Sequence, residues 1–125
     1  VGDTIHLFSK NRSDKLTTLY RLDDPQPETI NPLTKLDTLD LRGQVTGADA
    51  TADGKRLVVI TYQMIWLFER DSLDESFFAG RVRWAPYQAE QIESVCFGDD
   101  ATLLLIDEAT GVLHSVAIAD LTSLR

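Results

Sequence analysis

The feature that most constrains this chain is an internal repeat. "RLVVI" at 56–60 returns as "TLLLI" at 102–106, and "IWLF" at 65–68 returns as "LHSV" at 113–116. Val45 matches Ile92 and Asp53 matches Asp100, each pair 47 residues apart. The second phrase lags by one further position, and an extra turn residue at Thr110-Gly111 accounts for the lag. Earlier in the chain, "LYRL" at 19–22 stands 46 residues ahead of "IWLF". "TIHLF" takes the place of "RLVVI", with a longer loop, "SKNRSDK", between the two. A unit of this length cannot bury its apolar face alone, so such repeats fold by packing on one another.

Turn residues and β-branched or aromatic enrichment place strands near 3–9, 16–22, 35–41, 45–51, 56–62, 64–69, 81–85, 92–97, 102–107 and 112–118. The continuous runs "LVVI" and "LLLI" also suit a parallel α/β sheet, covered on both faces. That fold needs crossover helices, whereas most gaps here are short. The longest, "DDPQPETINPLT", carries three prolines and makes no regular helix. Both the period and the connectors fit an all-β fold of antiparallel four-stranded blades, about two and a half blades of a β-propeller. The single domain over 1–125 then divides into a partial blade at 1–43, a complete one at 44–90 and a partial one at 91–125. Its inner strands, over 45–86, are expected to be buried on both faces.

With 43% hydrophobic residues in a chain of 125, there is material for one core. Twenty acidic against twelve basic residues give a formal charge of -8, which repels a phosphate backbone and argues against nucleic acid as a partner. No apolar run is long enough for a transmembrane segment, and the opening "VGDTIHLFSK" has no signal-peptide pattern. The lone Cys96 excludes an internal disulfide, and its place in "SVCF" reads as a buried small hydrophobe.

"VTGADATADGKRLVVITY", "IWLFER", "DESFFAG" and "QIESVCFGDDATLLLIDE" resemble a group of WD40-like bacterial β-propellers, secreted or lipid-anchored and mostly without assigned function. The resemblance spans nearly the whole chain and implies an extracytoplasmic location, periplasmic, secreted or lipid-anchored. More locally, "ESVCF" resembles the place where lactonase and phytase-like propellers carry a channel-facing glutamate. Ser94 stands here where those families have glycine.

In a propeller, the loops entering innermost strands and those joining second to third strands gather on one face. The ligand face expected on that ground comprises Thr46, Tyr62, Gln63, Glu93, Asp107 and Glu108, beside the "SKNRSDK" loop. Glu93 and Asp107 are the candidate metal ligands, for Ca²⁺, set against a solvated acidic rim. "DSLDE" at 71–75 lacks the ladder and central glycine of a calcium loop and reads as a solvated turn. His6 and His114 have no partner at ligand spacing. Trp66 and Trp84 fit wedges between blades better than a sugar cleft. Asn11-Arg12-Ser13 matches a glycosylation tripeptide.

No nucleophile elbow or phosphate-cradling glycine loop is present in the sequence, and no catalytic residue is assigned. The expected function is a non-enzymatic binding or scaffold module for a protein or small-molecule ligand. The alternative is a lactonase or phytase-like hydrolase with a metal at the channel mouth. Two and a half blades leave apolar faces uncovered, so further blades or self-assembly are expected, with a fragment of a longer propeller preferred to a ring of copies.

Overall fold

The computed structural model describes residues 4–10 and 12–124. The start of the strand expected from residue 3, and Asn11 of the glycosylation tripeptide, lie outside the described residues. Three antiparallel sheets account for the fold. The first holds β1 (Ile5–Phe8), β2 (Leu16–Leu22) and β3 (Thr34–Asp40). The central sheet holds β4 (Val45–Ala50), β5 (Arg56–Thr61), β6 (Met64–Glu69) and β7 (Arg81–Pro86), and the last holds β8 (Ile92–Asp99), β9 (Thr102–Asp107) and β10 (Val112–Ala117). From β1 to β10 the strands within each sheet pair in chain order, and none of the three sheets closes on itself. Short 3-10 turns at Phe77–Ala79 and Ile118–Asp120 are the only helical pieces among the described residues, which removes the α/β alternative. No helix there is long and apolar enough to cross a membrane.

Local chemistry explains the tight connections. After β4, Asp53 Oδ1 accepts from Thr51 Oγ1 at 2.6 Å and from the Lys55 amide at 3.0 Å. Gly54 closes that turn at φ +71°, a conformation glycine adopts without steric cost. Gly111 plays the same part between β9 and β10 at φ +70°. β4 and β8 each carry a bulge at matching places, between Val45 and Gly47 and between Ile92 and Ser94. The repeat therefore extends to backbone irregularities.

Because side chains alternate across a strand, the register assigns every residue to a face. In the central sheet Leu57, Val59, Trp66 and Phe68 turn toward the first sheet, where they meet Leu19 and Leu41. Val58, Ile60, Ile65 and Leu67, all 0% exposed, turn the other way, onto Val95, Leu103 and Leu105 of the last sheet. The central sheet is thus the filling of a three-layer stack, and each such side chain is worth roughly 1.5–3 kcal/mol of burial. Polar bonds pin the layers. Asp49 Oδ2 accepts the Phe97 amide at 2.9 Å, Arg56 Nη1 donates to the Asp100 carbonyl at 2.8 Å, and Trp66 Nε1 donates to the Leu41 carbonyl at 3.0 Å. Trp66 and Trp84 pack with ring centroids 6.4 Å apart.

Two expectations need correction. Instead of stopping at β10, the chain adds β11 (Thr122–Ser123), which pairs with β7 and covers the outer edge of the central sheet. Buried Ile118 and Leu121 anchor this return. Cys96 is exposed, not buried. It shares with Leu104 the outward face of the last sheet, against which no other layer of the described residues packs.

Candidate functional site

The hairpins β1–β2, β5–β6 and β9–β10 turn at the same end of the stack, where β4 and β8 also begin. Tyr62 and Gln63 form the β5–β6 turn. Thr61 caps it from beneath, its buried Oγ1 accepting the Met64 amide at 3.1 Å. Asp107 holds the matching position in the next repeat, 46 residues on, and performs the matching task. Its Oδ1 accepts the Ala109 amide at 3.0 Å and its Oδ2 the Glu90 amide at 3.2 Å, while the side chain is only 3% exposed. A buried carboxylate with its oxygens aimed at backbone N–H groups organises a turn and leaves the rim to its neighbours.

Tyr62, Glu93 and Glu108 are brought together. The Tyr62 hydroxyl donates to Glu93 Oε1 at 2.9 Å, joining the central sheet to the last. Gln91 Nε2 donates to the same oxygen at 3.1 Å. Glu108 adds a hydrogen bond of its own to Glu93. The bonds from Gln91, Tyr62 and Glu108 hold the Glu93 carboxyl below the ordinary range, whereas the bond and negative charge of Glu93 raise Glu108. The Lys10 ammonium lies 5.4 Å from the Tyr62 ring centroid, within cation–π range, and brings in the first sheet. Thr46 serves the frame: its hydroxyl donates to the Ile92 carbonyl at 2.8 Å. Gln63 is exposed, and its carbonyl accepts the Tyr87 amide at 2.8 Å.

Among the described residues no three His, Cys, Asp or Glu side chains gather in a metal-binding group. Ca²⁺ takes six to eight oxygen ligands. Glu93 and Asp107, the expected ligands, each accept hydrogen bonds from donors of the chain. The remaining residues take structural places. His6 lies edge-on to Phe77 at 6.3 Å, and His114 edge-on to Tyr87 at 5.7 Å. Residues 71–75 form an exposed turn braced by Arg70, which donates to the carbonyls of Leu73 and Glu75, and by the Arg81–Asp71 ion pair at 3.0 Å. Away from the rim, a cavity of about 280 Å³ opens beside the unpaired edge of β1, lined by Phe8, Leu19, Ala48, Ala50, Leu57 and Phe77 among others.

Gln91 is the rim residue that the sequence did not single out. It precedes β8 in a loop, where no alternation marks a side chain's direction. The comparisons add no relative: the chain matches no protein-family model, no curated protein and no solved structure.

Proposed function

We propose that the chain is a non-enzymatic binding or scaffold module, its sheets arranged as successive blades of a β-propeller, with the hairpin rim as its ligand face. What supports the reading is the chain of contacts Lys10–Tyr62–Glu93–Glu108, which runs across all three sheets at the end where their hairpins turn. Such a rim offers a phenol, an amide, an ammonium and two adjoining carboxyls, groups that suit a hydroxyl- or amide-bearing ligand. Glu93 is held by the Tyr62 and Gln91 donors, and Glu108 is exposed. That pairing binds hydrogen-bonding groups without requiring a nucleophile.

Thermal melts test this with a panel of saccharides, amino acids, short peptides and Ca²⁺, run on the wild type and on the Tyr62→Ala/Glu108→Ala variant. A ligand bound to the native state alone raises its melting temperature. The reading expects such a rise in the wild type, absent in the variant. Equal rises in both would move the site elsewhere. Turnover of ester or phosphoester substrates would replace the scaffold by a hydrolase.

A further inference from the structure

The register makes the three sheets equivalent layers with the same polarity. Each has a back, carrying Leu57 and Val59 in the central sheet and Leu103 and Leu105 in the last, and a front, carrying Val58 and Ile60 in the central sheet and Leu104 and Ile106 in the last. The front of the first sheet, with Phe8 and Leu19, packs on the back of the central sheet. The front of the central sheet packs on the back of the last. Among the described residues one front and one back remain uncovered, at opposite ends of the stack.

The open front belongs to the last sheet. Its Ile106 is 47% and its Leu113 60% exposed, where their counterparts Ile60 and Ile65 are fully buried. Beside them Cys96 and Leu104 line a groove of about 300 Å³. The open back belongs to the first sheet: Ile5, Leu7 and Leu16 are exposed at 46%, 39% and 45%, and Tyr20 and Leu22 share their face. Apolar surface of this extent marks an interaction site. The occupant that fits an open front is the kind of surface that already covers the other two fronts, namely the back of a sheet of the same repeat.

We propose that the front of the last sheet docks the back of the first sheet of a second copy of this chain, head to tail. Stacking with unchanged polarity brings the β1–β2 loop of one copy, with the exposed Lys15, to the end that carries Glu108 of the other. The charges there are opposite. The contact continues the interface between the central and last sheets, and it is heterologous, because the two surfaces differ. It rests on the packing of the layers and not on the propeller reading.

Light scattering across a concentration series, with a reductant present because Cys96 opens on the same face, reads the assembly. The wild type is expected to rise in mass from monomer to dimer and beyond. Ile106→Asp removes the front and Leu7→Asp the back, both at exposed positions, and circular dichroism checks that each variant folds. Each variant alone is expected to stay monomeric. Mixed, they are expected to form a dimer of one copy of each and to grow no further, since each retains the face that the other lacks. A monomeric wild type over the whole series overturns the proposal. So does dimerisation of the Leu7→Asp variant alone, which would mean that fronts pair with fronts.

Discussion

β5 and β9 occupy the same place in two successive sheets, both centred on continuous apolar runs, yet Ile60 is 0% and Ile106 47% exposed. Their sequences differ little. What differs is the layer beyond: the central sheet has one on either side and the last sheet has one only. Apolar content thus tells which residues are able to pack, and position in the stack tells which of them do.

Truncation is the largest effect by which this contrast can be broken. Ile60→Ala removes a fully enclosed side chain and is expected to cost about 2–5 kcal/mol in urea melts. Ile106→Ala, measured at low concentration, is expected to cost less than about 1 kcal/mol. Equal losses would mean that the last sheet is covered in the isolated chain too.

The matching turns sharpen the comparison. Asp107→Ala strips a buried acceptor from the amides of Ala109 and Glu90 and is expected to cost about 1–3 kcal/mol. Thr61→Ala, which strips a neutral acceptor from Met64, is expected to cost about 1 kcal/mol. The reverse order in melts would assign Asp107 a role other than capping.

A smaller effect concerns the interface between the first and central sheets. Burial, together with the charges of Arg70 and Arg21, holds His6 below its ordinary value of 6.5. The neutral imidazole is therefore preferred in the folded state. As pH falls below 6.5 the unfolded chain takes up the proton first. The stability due to neutral His6 is full above that pH and is lost as pH falls toward the folded value. Melting temperature is expected to drop across this window in the wild type and to drop less in His6→Gln. Parallel profiles would show that His6 is indifferent to folding.

The strand sequence was legible because alternation and turn chemistry act locally: Asp53-Gly54 and Thr110-Gly111 announce their turns, and the apolar runs announce the strands between them. The repeat itself was enough to give equivalent positions. It also sets Asp107 level with Thr61, the two residues that cap the matching turns. β11 left no such trace, since Thr122–Ser123 is too short to show a period and is held by an edge formed far earlier in the chain. Exposure of Cys96 was illegible for the converse reason. Its strand pattern is that of a covered face, and only the arrangement of layers shows that no layer of the described residues covers it.

Native-state hydrogen exchange, residue by residue, tests the three-layer stack most directly, because amides in the best-packed elements open only with global unfolding. The amides of Val58–Ile60 and Ile65–Leu67 are expected to be the slowest in the chain, at the global limit. Those of β1 and β10, edge strands of singly covered sheets, are expected to exchange by faster local opening. Protection of β1 or β10 equal to that of β5, or exchange of β5 as fast as at the edges, would contradict the stack.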